Sequence, residues 1–344
     1  MSMVVFPFKT EDPEVAAANL ATAANHPRVR RVMAVGAAED ATFTALEVVA
    51  DRIAGATGKR VEVRVQSRIG ERRAGKGDGM NTGLRQFLET GEERLHFYDA
   101  DITNFDSTWI DGAEQAADRG FPIVRHYFPR ASTDAMITWM VTRPGFALTH
   151  PGSRLWQIRQ PLGGELAISR EVAGMLASDL LVASRSDWGI DTVITYATAN
   201  TGLPIYEHYV AGGKQHALYG SLDDIRDMVI ECFEAMAEVG RRPSPPDFEH
   251  VVEPRSEVTE AVATKVGYDV ESTLRLLTDV WSPDEVAAAA ELPDQIGEAL
   301  LANLARPTFA FMDGGTWRET LVALLQSYRP EPGWRGVLFR LWVA

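Results

Sequence analysis

Residues 29–65 read VRRVMAVGAAEDATFTALEVVADRIAGATGKRVEVRV: a β-branched run (29–36), a stretch of helical period (41–54) and a second β-branched run (61–65). This is a strand–helix–strand unit, and the pattern extends in both directions. Upstream lie VVFPF (4–8) and EVAAANLATAANH (14–26); downstream lie MNTGLRQFLET (80–90), LHFYDAD (95–101), STWIDGAEQAADR (107–119) and PIVRHY (122–127). Within the first helical stretch Ala17, Leu20, Ala21 and Ala24 fall at i, i+3, i+4 and i+7 and form a packing face. Such alternation specifies an α/β fold, a mainly parallel sheet with helices on both faces. Ligands of open sheets of this kind bind beyond the carboxyl ends of the strands, so the loops that follow the strands are where chemistry is sought.

Beyond Tyr127 the alternation becomes irregular. ASTDAMITWMVT (131–142), QPLGGELAISREVAGML (160–176) and DWGIDTVITYATANTG (187–202) read as helical pieces between Gly and Pro breaks, in a region that completes a pocket. Leu222 to Val239 reads as an amphipathic helix, and RRPSPPD (241–247) as a break. We therefore expect a first unit over 1–240 and a mostly helical region over 241–344. The 344 residues carry 34 Lys plus Arg against 48 Asp plus Glu, a formal charge of −14, which excludes coating of nucleic acid as a role. With 45% apolar and 24% charged residues a sizeable core is available. A lone cysteine, Cys232, excludes an internal disulfide and a thiolate zinc cluster. MSMVVFPFKTEDPE (1–14) does not read as a signal peptide, and the longest uncharged window, Thr192 to Tyr206, falls short of the roughly 20 apolar residues of a membrane span. The expectation is a cytoplasmic protein with neither nucleic acid nor membrane as partner.

Five local signals carry chemistry. LHFYDADIT ends an apolar strand in Asp99-Ala100-Asp101; residues two apart on a strand point the same way, so both carboxylates can face one cation or one metal-bound phosphate. Capping of the next helix is the bland use of such an acid. The same string fits two chemistries: an Asp-x-Asp that holds a divalent ion on the diphosphate of a nucleotide sugar, and the Asp-x-Asp-x-Thr of dehalogenase-type phosphatases, here Asp99, Asp101 and Thr103. The second motif closes the first strand of its fold, whereas three strand–helix units precede this one, and Asp223-Asp224 is a weak candidate for the distal acids it needs. The loop QSRIGERRAGKGDGMN (66–81) concentrates Arg68, Arg72, Arg73 and Lys76 among glycines, suited to phosphate oxygens. It imitates a P-loop, but Gly77 stands where the magnesium-binding hydroxyl belongs. In GGKQHALYG (212–220), His216 offers an imidazole that could join Asp101 on a metal. In HYFPRASTDAMITW (126–139), Ser132, Thr133 and Asp134 offer helix caps and Arg130 a bidentate partner for a small anion. Glu165, Asp187 and Asp191 sit in Gly-containing turns, suited to sugar hydroxyls or the anomeric carbon. His96 and His126 read as core residues of strands.

Taken together, VVFPFK, GKGDGMNTGL (75–84), HFYDADIT, RHYFPRASTDAMITWM (125–140), QPLGGEL (160–166), SRSDWGIDT (184–192), IYEHY (205–209) and GGKQHALYGSLDD (212–224) resemble the mannosylglycerate synthase family, over nearly the whole chain to LFRLW (338–342). The resemblance implies a GT-A fold and a retaining, metal-dependent transfer of mannose from GDP-mannose to D-glycerate. It implies Asp101 and His216 as ligands of a divalent ion (Mn²⁺, Mg²⁺ or Ca²⁺). Asp99, Ala100, Lys76 and Gln66 would contact the nucleotide, with Pro7, Phe8 and Lys9 beneath the base. Leu162, Gly163 and Asp191 would line the donor sugar, Tyr219 and Met228 would close over it, and Arg130, Ala135 and Thr138 would hold the small hydroxy-acid acceptor. Asp191, Asp99 and Lys76 would serve catalysis, Asp191 as nucleophile, hydroxyl acceptor or electrostatic support. The resemblance allows a homo-oligomer. The dehalogenase-type phosphatase and a sugar nucleotidyltransferase are the alternatives.

Overall fold

Along strand β1 (Ser2–Pro7) side chains alternate between two cores: Met3 and Val5 face one side of the sheet, Val4 and Phe6 the other. The computed structural model describes residues 1–130, 134–216, 222–255, 269–305 and 312–344. Helix α1 (Pro13–Asn25) is capped by Asp12, strand β2 (Val29–Gly36) pairs parallel to β1, α2 (Ala41–Thr57) is capped by Asp40, and β3 (Arg60–Val65) pairs parallel to β2. Helix α3 (Lys76–Leu88) then crosses to β4 (Arg94–Phe97), which pairs on the opposite edge of β1. The strand order therefore reverses between β1 and β4, the place where open α/β sheets open a crevice. Helix α4 (Ser107–Asp118) leads to β5 (Ile123–Tyr127).

The irregular region is more ordered than its sequence suggests. Of the stretch read as one helical piece over 160–176, Leu166–Ser169 is a strand, β6, inserted antiparallel between β4 and β5. Four apolar-rich residues carry no period that separates strand from helix, and pairing on both edges decides for strand. After β5 the chain forms a π-helical turn (Thr138–Thr142) that runs into α5 (Arg143–Thr149); α6 (Arg170–Ser178), capped by Ser169, α7 (Leu180–Ser184) and α8 (Ile190–Asn200) follow β6. Strands β7 (Ile205–Tyr209) and, beyond the Pro-rich break, β8 (His250–Val252) extend the sheet to eight strands in the order β3-β2-β1-β4-β6-β5-β7-β8.

Helix α9 (Arg226–Val239) is not amphipathic in the structure: Val229 to Ala237 are all buried. Among the C-terminal helices α10 (Val270–Thr278), α11 (Pro283–Ala290), α12 (Asp294–Ala305), α13 (Gly314–Ser327) and α14 (Pro332–Val343), α14 packs directly on α9 and the group shares one core with it. Val229, Phe233, Leu321, Trp334 and Leu338 share one core with Ile137 and Val141, and Trp317 Nε1 donates to the Met140 carbonyl at 2.7 Å. The helical region thus packs against the segment that follows β5. Among the described residues no helix is long and apolar enough to cross a membrane.

Helix α3 approaches the sheet closely because it carries no side chain at Gly83, where a Cβ would stand 2.6 Å from Val5 Cγ1 and 3.2 Å from Phe97 Cε1. This contact seats the first residue of α3, Lys76, over the crevice. Overpacking of a dense core costs ~1–3 kcal/mol for each forced group. Gly83→Val is therefore expected to lower the urea midpoint by the equivalent of at least ~2 kcal/mol; an unchanged midpoint contradicts this packing.

Candidate active site

The crevice beyond β1 and β4 holds a cavity of about 490 Å³. Pro7, Phe8 and Lys9 reach it from the end of β1, Gln66 from the end of β3, and Lys76 from the start of α3. Asp99, Ala100 and Asp101 line it from the turn after β4, and Arg130, Ala135 and Thr138 from the segment after β5. Leu162, Asp191 at the start of α8, His216, and Met228 on α9 complete the residues that the sequence singled out on this wall. Gly163 stands behind Leu162, off the lining, with its carbonyl accepting from Nη2 of buried Arg125 at 3.2 Å. Tyr219, like Ser132 and Thr133, lies outside the described residues. Strand alternation is not what aligns Asp99 with Asp101: β4 ends at Phe97, and a turn at Ala100-Asp101 brings both to the cavity.

At its centre is a buried chain of alternating charge. Lys76 Nζ lies 3.0 Å from Asp191 Oδ2 and 2.7 Å from Asp99 Oδ1; Lys214 Nζ lies 2.5 Å from Asp99 Oδ2 and 2.8 Å from Glu165 Oε1. Burial alone would raise the Asp99 carboxyl, but Lys214 and Lys76 hold it well below the usual carboxylate range. Burial works against the charge on both lysines and is overcome, for Lys76 by Asp191, Asp99 and Glu165 and for Lys214 by Asp99 and Glu165, so both are pushed up. Asp191 is pushed up by burial, with Lys76 only partly compensating. Gly164 leaves room for this chain: a Cβ there would collide with Lys76 Nζ and stand 2.5 Å from Asp99 Oδ1, so a side chain would push these groups aside.

Beside this chain sit the two side chains read as metal ligands. Asp101 Oδ1 is buried without a hydrogen-bond partner among the described residues, and Oδ2 lies 3.8 Å from His216 Nδ1. An orphaned carboxylate oxygen next to an imidazole is a fitting half-shell for a hard or borderline divalent ion, and 3.8 Å is within twice the ~2.1 Å of a metal–ligand bond. Among the described residues no group of three or more His, Cys, Asp or Glu could hold a metal alone, so further ligands must come from elsewhere, as with ions completed by water and phosphate oxygens. Residues Asp101 and His216, far apart in sequence, are brought together by a staple. Asn104 Oδ1 accepts from Gln215 N at 2.9 Å, its Nδ2 donates to the Gly213 carbonyl at 3.0 Å, and Thr103 N and Oγ1 donate to the Gln215 carbonyl at 2.8 and 3.1 Å.

Asp134 does not serve as a cap. Its Oδ2 accepts from Arg130 Nε at 2.9 Å, its carbonyl accepts from Arg130 Nη2 at 2.7 Å, and Oδ1 lies 3.3 Å from His216 Nε2. Burial opposes ionisation, but His216 and Arg130 hold this carboxyl well below its ordinary value.

The basic loop is corrected by its partners. Arg68 pairs with Asp78 at 3.2 Å, Arg72 with Glu238, and Arg73 with Glu231 through two bonds of 2.6 and 2.8 Å, which leaves Lys76 as the member that meets the cavity's carboxylates. The sequence reading missed Lys214, which stands two residues before His216 and carries half of the charge chain. It also left Glu165 among several candidate acids, and it did not mark Glu11 on the cavity wall. Burial pushes the Glu11 carboxyl up to about 8.

The fold is that of GT-A glycosyltransferases. Glucosyl-3-phosphoglycerate synthase from Mycobacterium tuberculosis, solved with Mn²⁺, UDP and glucosyl-3-phosphoglycerate, superposes with a TM-score of 0.53 at 19% identity over 71% of this chain and 81% of that one. The complex of that enzyme with Mn²⁺, UDP-glucose and glycerol 3-phosphate matches to the same extent. The sequence narrows the class further. Residues 2–238 match the family model "Mannosylglycerate synthase, GT domain" and residues 262–344 "Mannosylglycerate synthase C-terminal domain". Mannosylglycerate synthase from Rhodothermus marinus is 51% identical over 99% of this chain and 87% of its own length, and that from Selaginella moellendorffii 44% identical over 100% and 83%. The chain belongs to the mannosylglycerate synthase family and is a glycosyltransferase. The phosphatase and nucleotidyltransferase alternatives fall with that assignment.

Two predictions follow from this geometry. Removing the staple with Asn104→Ala is expected to speed amide exchange at Gln215, whose N–H donates to Asn104 Oδ1 at 2.9 Å, as read by hydrogen–deuterium exchange; unchanged exchange contradicts the staple's role. Glu11 binds a proton more tightly folded than unfolded, so its contribution to stability is full below its ordinary value of 4.5 and is lost as pH rises through about 8. Thermal melts of Glu11→Gln should therefore fall less steeply than wild type between those pH values, and parallel curves contradict the burial of this carboxyl.

Proposed function

We propose that the chain transfers mannose from GDP-mannose to D-glycerate with retention at the anomeric carbon, and that it depends on a divalent cation, Mn²⁺, Mg²⁺ or Ca²⁺. The observation that carries this reading is the convergence, on one cavity wall, of a carboxylate–imidazole pair, a buried ammonium and a guanidinium. Those are the groups needed for a cation, a diphosphate and an acceptor carboxylate. In this reading Asp101 and His216 hold the cation. Pro7, Phe8, Lys9, Gln66 and Ala100 line the nucleotide, Leu162 and Met228 the donor sugar with Gly163 behind Leu162, and Arg130, Ala135 and Thr138 the acceptor.

The bond from C1 to the β-phosphate oxygen breaks, C1 bonds to the acceptor oxygen, and the acceptor's hydroxyl proton passes to the departing phosphate. When bound, the cation neutralises charge on the leaving diphosphate. Lys76 adds a preorganised positive charge where negative charge develops. Turning Lys76 toward phosphate leaves Asp99 paired, because Lys214 stays on it at 2.5 Å, and releases only Asp191. Asp191 then faces the reacting sugar as a buried carboxylate, opposite in sign to the oxocarbenium-like carbon. Its role in this account is electrostatic support and acceptance of a sugar hydroxyl.

The direct test incubates purified protein with GDP-mannose, D-glycerate and Mn²⁺. GDP release that requires glycerate, with an α-mannosyl product by NMR, is expected; release independent of glycerate, or an inverted product, overturns the proposal. Lys76→Ala should lower kcat about 10²- to 10³-fold, the loss typical of one preorganised charge donor. Asp101→Ala and His216→Ala should each abolish metal-dependent turnover, and unchanged rates in both remove the metal assignment. Arg130→Ala should raise the KM for glycerate more than that for donor.

A further inference from the structure

Two groups with separate tasks in the proposed reaction, the cation ligand His216 and the acceptor-binding Arg130, are not independent in the structure. They share one carboxylate. Asp134 Oδ2 accepts from Arg130 Nε at 2.9 Å, Oδ1 lies 3.3 Å from His216 Nε2, and its own carbonyl accepts from Arg130 Nη2 at 2.7 Å. The three groups lie on the cavity wall, and the Asp134 and Arg130 side chains are each 16% exposed and that of His216 11%. An ionised carboxylate has acceptor sites on both oxygens, so this arrangement uses Asp134 fully as a bridge between an imidazole N–H and a guanidinium.

We propose that Asp134 is a positioning residue that couples cation binding to acceptor binding. The inference rests on the assignment of His216 to the cation and Arg130 to the acceptor. On the cation side, Nε2–H donating to Asp134 fixes the tautomer, so that the lone pair of Nδ1 is directed to the side where Asp101 Oδ2 lies 3.8 Å away. A histidine ligand oriented by a carboxylate on its other nitrogen is the usual outer-shell support of a metal site. On the acceptor side, two of the five guanidinium N–H groups are committed to Asp134. That leaves Nη1 and the second hydrogen of Nη2, a pair in the fork geometry that accepts a carboxylate.

Coupling follows from the shared member. A cation that orders His216 orders Asp134 and, through it, the Arg130 fork, so the acceptor binds a partner whose rotamers are already set. Linkage makes the effect reciprocal: the acceptor must tighten the cation by the same factor. The direction is favourable because the bridge is a negative carboxylate between two positive or donor groups, and it holds Arg130 away from direct competition with the cation. Asn at this position keeps the shape but puts an amide N–H against either His216 or Arg130, so it breaks one arm of the bridge. Glu keeps the charge and can reach both arms with one more methylene.

The test is a binding cycle that needs no turnover. With GDP present, calorimetry measures the Kd of D-glycerate with and without Mn²⁺, and electron paramagnetic resonance measures the Kd of Mn²⁺ with and without D-glycerate. The full-length wild type should show the two ratios equal and at least about fivefold; Asp134→Asn should bring both close to one, and Asp134→Glu should restore part of the difference. A wild-type ratio of one, or an undiminished ratio in Asp134→Asn, overturns the coupling. Should the Asn variant fail to fold by circular dichroism, Asp134→Ser carries the same expectation. His216→Ala serves as the separate control. If it leaves Mn²⁺ affinity unchanged, the cation assignment itself is wrong, whereas lost Mn²⁺ affinity there with undiminished coupling in the Asp134 variants overturns only the role of Asp134.

Discussion

Three carboxylates and two ammonium groups arranged as Asp191–Lys76–Asp99–Lys214–Glu165 form the constraint on which the site depends. Charges removed from water are tolerated only when each is matched closely, and loss of one partner leaves the other at a cost of several kcal/mol. The chain draws its members from the start of α3, the turn after β4, the loop before β6, the start of α8 and the loop after β7. Those segments can meet only if every crossover of the sheet is in register. The electrostatic chain is therefore also a geometric lock, and it holds the turn that presents Asp101 beside the loop that presents His216. Its excess of one negative charge, with the orphaned Asp101 Oδ1 beside it, leaves the cavity prepared for a cation.

A second ionic layer supports the first from below. Arg72, Arg73 and Arg185 meet Glu231, Glu234, Glu238 and Asp187, and Glu231 also accepts from Trp188 N at 3.0 Å. Glu234 in turn accepts from Tyr328 Oη at 2.8 Å and from Arg335 Nε at 2.8 Å, on the C-terminal side. The buried polar side chains of α9 thus tie the loop that leads into Lys76 to the helical region. This explains why α9 can be buried on all sides and still carry three glutamates.

Much of this was legible in the sequence. The β-branched or aromatic runs and the stretches of helical period up to Tyr127 specified the parallel sheet, because they alternate regularly along that part of the chain. The resemblance carried by the quoted motifs assigned Pro7 to Lys9, Gln66, Lys76, Asp99 to Asp101, Arg130, Asp191 and His216 to one site, and these residues line one cavity. What was not legible depended on partners distant in sequence. Leu166–Ser169 is a strand because β4 and β5 flank it, and the arginines of the Gly-rich loop are ion-paired structural members because α3 supplies Asp78 for Arg68 and α9 supplies glutamates for Arg72 and Arg73. Lys214 and Asp134 look like an ordinary loop lysine and a helix cap until the fold sets them against Asp99 and His216.

The central claim is that this charge lock is built around the diphosphate of a nucleotide sugar. A crystal structure of the protein soaked with GDP and Mn²⁺ tests it most directly. The account predicts the cation on Asp101 and His216, a phosphate oxygen on the same cation, and Lys76 Nζ turned to phosphate while Lys214 stays on Asp99. A diphosphate bound outside this cavity, or Lys76 still held between Asp99 and Asp191 with phosphate present, would contradict it.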